Sequence, residues 1–111
     1  MAAIHDHASN RLTRESVDGL AGATLLNFGT EWCGYCVGAQ RLIDQALVSY
    51  PQVEQVKIED GPGRPLGRSF RVKLWPTLVF LRDGREVTRL VRPTSQGPIE
   101  DALGLIATPS V

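Results

Sequence analysis

The chain has 111 residues and equal numbers of acidic and basic side chains, so its formal net charge at pH 7 is zero. This length fits one domain that buries a core without disulfide staples. A neutral chain has no electrostatic reason to bind nucleic acid or an anionic membrane, because both usually require a basic surface. No apolar run approaches the roughly 20 residues of a membrane span, and Met1–Asn10 lacks the basic start and apolar stretch of a secretory signal. We therefore expect a cytoplasmic protein without nucleic-acid or membrane partners.

Residues 1–11 are mostly polar and offer little to bury, so we predict a flexible N-terminal tail ahead of a domain that spans 12–111. His5 and His7 lie in this tail and can ligate a metal, although histidines near a terminus are more often solvated. A short helix is predicted to begin after Thr13, which is a favourable N-cap residue.

The next two segments are a strand and a helix. Residues 24–28 form a mostly apolar run, typical of a buried strand, which Asn27 interrupts and Gly29 ends. Apolar residues then recur at helical spacing from about Cys33 to Ser49, and Pro51 stops the helix. The stripe predicted to be buried comprises Val37, Leu42, Ile43, Ala46, Leu47 and Tyr50, and the side chains predicted to face water are Gln40, Arg41, Asp44 and Gln45.

The second half of the chain alternates in the same way. Residues 53–58 and 76–81 are predicted strands, separated by a loop over 60–65 and a short helix over 66–71. Asp83-Gly84 between two apolar runs is a strong hairpin signal and predicts a further strand over 86–91. A last helix is predicted to bury Ile99, Leu103 and Ile106. This order predicts an α/β fold, a mixed central sheet flanked by helices on both faces.

Cys33 and Cys36 are the chain's only cysteines, and they lie between a predicted strand and a predicted helix. In a cytosol, where thiols are kept reduced, such a close pair indicates catalysis or metal binding rather than a structural bridge. Zinc would need two further ligands, for which His5 and His7 are conceivable, but their placement does not match a standard zinc finger.

With this motif and order of elements, the chain resembles the small single-domain proteins of the thioredoxin superfamily over residues 12–107. The resemblance implies the thioredoxin fold and thiol–disulfide exchange. The residues that carry it are Phe28, the run Glu31-Trp32-Cys33-Gly34, Cys36, the pair Pro76-Thr77, Gly84 and the final helix.

The resemblance makes Cys33 the nucleophile and Cys36 the resolving thiol. At the helix N-terminus, Cys33 faces unpaired backbone N–H groups and the positive end of the helix dipole, which favour a thiolate. Cys36 lies one turn further in, so we expect it to be less exposed and to attack the mixed disulfide that Cys33 forms. The expected cofactor requirement is none beyond the redox-active disulfide Cys33–Cys36.

The resemblance also implies a substrate site around the cysteines. Aromatic surface at Trp32 and Tyr35 would contact the substrate, and Gly34 would leave room for its approach. Trp75-Pro76-Thr77 resembles the family's cis-proline loop, in which the backbone of Trp75 can pair with an extended substrate strand. Arg92, where the family has a glycine, would line the same groove.

Several residues depart from the family pattern. Asn27 stands where thioredoxins usually have a buried aspartate, and an amide cannot exchange protons, so water, the substrate, Glu31 or Lys57 would take over that task. Tyr35 between the cysteines resembles the interior of some disulfide isomerases, and Trp75 replaces a usual aliphatic residue. Arg41 replaces a helix-kinking proline, which predicts a straighter helix.

The resulting hypothesis is a thiol–disulfide oxidoreductase that reduces protein disulfides and is recycled by a thioredoxin reductase or another thiol reductant. Two alternatives stay open. One is a disulfide isomerase or oxidase, and the other is a protein-binding adaptor with little redox turnover.

Overall fold

The computed structural model describes residues 3–4, 12–30 and 33–107, and within them it shows one mixed sheet with the strand order β1-β3-β2-β4-β5. The strands are β1 (Ala3–Ile4), β2 (Ala23–Gly29), β3 (Glu54–Glu59), β4 (Thr77–Arg82) and β5 (Arg85–Val91). The helices are α1 (Arg14–Asp18), α2 (Gly34–Leu47), α3 (Pro65–Ser69) and α4 (Gln96–Ala107).

β2 is the central strand and carries the start of the site. It pairs in parallel with β3 and antiparallel with β4, and β4 pairs antiparallel with β5. The predicted α/β fold is therefore confirmed, and each predicted helix and strand is present with shifted ends. Every residue of β2 after Ala23 is buried, as the apolar run predicts for a strand with neighbours on both sides and both faces covered.

Two apolar cores lie on opposite faces of the sheet, because alternate residues of β2 and β4 point in opposite directions. On one face, Leu25 and Phe80 pack with α2 and α4. On the other, Phe28 and Val79 pack with α1 and α3. The sheet thus lies between two layers of helices, and the pairing of β2 with β4 brings Phe28 next to Thr77.

The β4–β5 hairpin confirms the Asp83-Gly84 signal. Both residues have positive φ, 50° and 81°, the backbone of a type I′ turn. The carboxylate of Asp83 accepts a hydrogen bond from the backbone of Gly22 at 2.8 Å. A Cβ at Gly84 would collide with the backbone carbonyl of Asp18 at the end of α1, so this turn needs glycine for space as well as for φ.

Part of the stretch predicted as a flexible tail, residues 1–11, forms a strand in the structure. The backbone of Ala3–Ile4 pairs in parallel with β3 at Gln55 and Val56, as a two-residue strand at the sheet edge. Two residues are too few to give a periodic signal in the sequence. The domain boundary before residue 12 stays a prediction. Among the described residues, no helix has the length and hydropathy needed to cross a bilayer.

Candidate active site

The two cysteines lie where the chain passes from β2 to α2. Cys33 is the N-cap residue of α2, with φ −81° and ψ 118°, and its Sγ accepts a hydrogen bond from the backbone N–H of Cys36 at 3.2 Å. This N–H is one of the donors that a helix leaves unpaired at its start. The helix dipole adds positive potential at the same place, so negative charge on the Cys33 sulfur is favoured.

Cys36 lies in the first turn of α2, and its side chain packs against the backbone of Gly29. A Cβ added at Gly29 would stand 2.5 Å from the Cys36 Sγ, which is too close for any side chain. Glycine at the end of β2 is therefore what lets the second sulfur reach its place. The sequence reasoning used Gly29 only as the end of a strand, and no local signal marks this long-range contact.

The pKa of the Cys36 thiol is raised from 9.0 to about 11. Burial is the largest cause, and the hydrogen bond with Cys33 comes next. A backbone hydrogen bond with Thr30 and the charge of Arg92 act in the opposite direction but are smaller than burial. Cys36 is therefore held as a neutral thiol around pH 7.

The prediction that Cys36 is the less exposed cysteine is wrong. Cys33 retains 8% of its accessible surface, whereas Cys36 is half-buried. The reason is a cavity of about 670 Å³ that reaches Cys36, and Cys33 is not among the residues that line it. The described lining residues are Asn27, Gly29, Thr30, Cys36, Val37, Gln40, Arg41, Asp44, Gln45, Lys57, Ile58 and Glu59.

Two predictions on α2 are wrong. Val37, predicted to be buried, is 66% exposed because it borders this cavity. Gln40, predicted to face water, is half-buried because its side chain forms hydrogen bonds with Asn27 and Gln55 of the sheet.

A cluster of amides lies beside the cavity. The Asn27 side-chain NH₂ donates to the Oε1 atoms of Gln40 and Gln55, at 3.2 and 3.3 Å. Gln40 also donates to Gln55 and to the carboxylate of Asp44. Asn27 and Gln55 are 7% and 2% exposed. The carboxyl that the family usually has in β2 is thus replaced by a hydrogen-bonded neutral group. The pairing register of β2 and β3 places Gln55 beside Leu25, on the same face of the sheet as Asn27, so no signal within β3 alone could have found this contact.

The Trp75–Pro76 loop lies against the first sulfur. The Trp75–Pro76 peptide bond is cis, as the resemblance implies, and the carbonyl oxygen of Trp75 lies 3.9 Å from the Cys33 Sγ. The Trp75 indole N–H donates to the Asp60 carboxylate at 2.9 Å, which fixes the ring. Asp60 is a residue of the site that sequence reasoning assigned only to a loop.

Arg92 and Tyr35 meet on the other side of this loop. The guanidinium carbon of Arg92 lies 4.2 Å from the centre of the Tyr35 ring, within cation–π distance. Arg92 Nε also donates to the Trp75 carbonyl at 2.9 Å. The structure therefore brings Tyr35, Trp75, Pro76 and Arg92 together around Cys33.

The other predicted substrate-binding residues are placed as follows. Gly34 is exposed, with open space where a Cβ would be. Thr77 is buried, and its hydroxyl donates to the Leu74 carbonyl at 2.6 Å. It therefore stabilises the Trp75–Pro76 loop and has no exposed surface for substrate contact. Trp32 lies outside the described residues, as does Glu31.

The zinc alternative has no support in the described part of the chain. Residues 3–4, 12–30 and 33–107 contain no group of three or more potential ligands. His5 and His7, which that alternative needs, lie outside these ranges.

The geometry can be compared with known proteins. A family model described as "Thioredoxin" matches residues 7–104. The chain is similar to thioredoxin from Chlamydia trachomatis, with 33% identity over 72 residues that cover 64% of this chain and 70% of the relative. Thioredoxin 2 from Pseudomonas aeruginosa, solved in its reduced form, is 55% identical with a TM-score of 0.80, over 89% of this chain and 92% of the other. A thioredoxin from Nicotiana alata is 28% identical with a TM-score of 0.76, over 94% and 91%.

Proposed function

The chain belongs to the thioredoxin family of thiol–disulfide oxidoreductases, and from this premise we propose that it reduces protein disulfides by dithiol exchange through Cys33 and Cys36. The observation that carries the proposal is the position of the Cys33 sulfur. It accepts a backbone hydrogen bond at the start of α2 and lies beside the cis Trp75–Pro76 bond, where an extended substrate can dock.

The first step of the proposed mechanism is attack by the Cys33 thiolate on one sulfur of the substrate disulfide. A mixed disulfide forms between Cys33 and the substrate, and the other substrate sulfur leaves as a thiolate and takes a proton from water. The N-terminus of α2 stabilises the attacking charge before this step.

The second step uses Cys36. Its thiol loses a proton, and the resulting thiolate attacks the Cys33 sulfur, which releases the second substrate sulfur as a thiolate and leaves the Cys33–Cys36 disulfide. The released thiolate takes a proton from water. Two electrons have then passed to the substrate. Because Asn27 cannot take the proton, water in the adjoining cavity is the proposed acceptor, with Lys57 lining the same space.

The substrate groove is proposed to comprise the residues around Cys33. Tyr35 supplies exposed aromatic surface, and Trp75 supplies backbone groups for an extended strand. The proposed partners are protein disulfides and a thioredoxin reductase or other thiol reductant, in the cytoplasm. No cofactor beyond the redox-active cysteine pair is proposed.

Cysteine variants test the two roles. The parent should reduce insulin disulfides in the presence of a thiol reductant, and Cys33→Ser should be no faster than the reductant alone. Cys36→Ser should accumulate a mixed disulfide with substrate, visible by mass spectrometry as a covalent adduct that dithiothreitol removes. Equal rates for the parent and Cys33→Ser would contradict the proposal.

The direction of exchange is tested separately, because Tyr35 between the cysteines favours the isomerase or oxidase alternative. Equilibration of the Cys33–Cys36 pair with glutathione gives its reduction potential, and a reductase requires a potential below that of the glutathione couple. Turnover by a thioredoxin reductase would exclude the adaptor alternative, since a passive binding module is not recycled.

A further inference from the structure

Arg92 is held in one position by two consecutive carbonyl groups. Its backbone N–H donates to the Pro76 carbonyl at 2.9 Å, and its side-chain Nε donates to the Trp75 carbonyl at 2.9 Å. The face of its guanidinium lies against Tyr35 at 4.2 Å. A planar guanidinium fixed in this way keeps an edge of N–H donors in a defined direction.

The backbone of Arg92 is strained. Its φ is 51°, in the left-handed region that favours glycine. Such conformations are costly for a residue with a side chain and concentrate at functional sites. An observed outlier beside the reactive sulfur is therefore a reason to look for a role of this side chain.

Among the described residues, no acidic side chain forms an ion pair with Arg92. In the described part of the chain, ion pairs join Arg14 to Asp18, Arg64 to Glu59 and Arg89 to Glu86, and no carboxylate lies within ion-pair distance of Arg92. Because Arg92 contacts the Trp75 carbonyl through Nε, its two terminal nitrogens can donate to a ligand. The ligand that suits a guanidinium best is a carboxylate, which accepts two parallel hydrogen bonds.

A bound substrate would pass close to this cation. The Trp75 carbonyl is shared by Arg92 Nε at 2.9 Å and Cys33 Sγ at 3.9 Å. Cys33 Sγ and Arg92 Nε thus approach the same carbonyl oxygen, so a substrate sulfur bonded to Cys33 lies close to the guanidinium. The guanidinium then lies beside the substrate backbone, near the attacked sulfur.

We propose that Arg92 is a specificity-determining residue that binds an acidic side chain of the protein substrate close to its disulfide cysteine and disfavours basic side chains there. The inference rests on the proposed function and adds a substrate class to it, namely disulfides flanked by Asp or Glu. Like charge beside a fixed guanidinium is penalised by about as much as opposite charge is favoured.

The test uses three disulfide-bonded peptides that are identical except for Glu, Gln or Lys next to the attacked cysteine. We expect the parent to reduce the Glu peptide with a kcat/KM about fivefold above the Lys peptide, with the Gln peptide between them, as a partly exposed ion pair allows. Higher salt should lower this ratio by screening. In Arg92→Gln the ratio should fall to about one.

Two further variants keep the test decisive. Arg85→Gln removes the same charge at the other end of β5, so its ratio should match that of the parent. Arg92→Gly removes the side chain and accepts the positive φ without strain, so it separates loss of recognition from loss of folding, and its ratio should also be about one.

The outcomes separate the inference from the proposed function. Equal rates on the three peptides in the parent, or an unchanged ratio in Arg92→Gln and Arg92→Gly, would overturn the role of Arg92 and leave disulfide reduction intact. A parent that reduces none of the peptides and no insulin would overturn both.

Discussion

The surroundings of Cys33 and Cys36 differ in what they offer a negative charge. The Cys33 sulfur receives a backbone N–H at the start of a 14-residue helix. The Cys36 sulfur lies against Gly29, at a cavity that Asn27 and Gln40 also line, and the pKa of Cys36 is raised to about 11, above all by burial. One sulfur is thus set up to attack, and the other is held as a thiol.

This difference accounts for the proposed order of the two steps. Two of the influences that raise the pKa of Cys36 come from Cys33, one through a hydrogen bond and one through charge. Both end when Cys33 enters a mixed disulfide, which leaves burial as the main obstacle. Cys36 therefore loses its proton more readily once there is a disulfide for it to attack.

The largest expected effect is in the titration of the thiols. A pKa of about 11 in place of 9.0 means about a hundredfold less Cys36 thiolate at neutral pH. The ultraviolet absorbance of thiolate in the reduced parent should show a step for Cys36 near pH 11. In Cys33→Ser the Cys36 step should fall below that of the parent but stay above 9.0, because burial remains. A titration step for Cys36 at or below pH 9.0 in the parent would contradict the proposed difference between the two sulfurs.

Asn27→Asp should weaken the fold by about 2 kcal/mol at pH 7, because the amides of Gln40 and Gln55 present oxygens to this position. Burial raises the pKa of a carboxyl here above its unfolded value. The loss should therefore be small below pH 4 and grow as pH rises through the folded pKa.

Denaturant unfolding of the parent and Asn27→Asp at pH 4 and pH 7 measures this, and the protonated acid at pH 4 is the matched control. The pH–rate profile of mixed-disulfide resolution in the same variant shows whether a carboxylate supplies proton transfer. A loss of stability that does not depend on pH would contradict the neutral character of the cluster.

Gly29→Ala should displace the Cys36 sulfur, since the new Cβ would stand 2.5 Å from it. We expect resolution to slow by about tenfold, because small misplacements of reacting atoms are costly. The mixed disulfide with substrate should accumulate in single-turnover experiments while the first step keeps its rate.

The control for Gly29→Ala is Gly38→Ala on α2, where nothing lies within 4 Å of the new Cβ. This change should leave resolution unaffected and stabilise the helix by about 1 kcal/mol. Slow resolution in both variants would mean that the contact with Gly29 is not the cause.

The smallest effect concerns the Cys33 side. Trp75→Phe removes the indole N–H that donates to Asp60, a bond of about 1 kcal/mol, and frees the ring beside the proposed groove. We expect kcat/KM for insulin to fall about threefold with little change in kcat. Asp60→Asn keeps an acceptor oxygen and should retain most of the activity. A fall in kcat alone would place Trp75 in the chemical step instead.

Local signals predicted the fold and the reactive pair. Cys33 and Cys36 are separated by one helical turn, and Asp83-Gly84 specifies the hairpin turn, so interactions between residues close in sequence were sufficient to predict both. The cis bond before Pro76 followed from the resemblance. The edge strand Ala3–Ile4 escaped prediction because its pairing depends on β3, far along the chain.

The side-chain contacts around the two sulfurs could be known only from the tertiary structure. Gln55 reaches Asn27 across 28 positions of sequence, and Arg92 reaches the Trp75 carbonyl across 17. The cavity that exposes Cys36, and Gly29 as its neighbour, also arise from packing between α2 and the sheet. By itself the sequence determined which element holds each cysteine, since propensity and periodicity act over a few residues. The surroundings of each sulfur depend on distant groups that meet only when the layers pack.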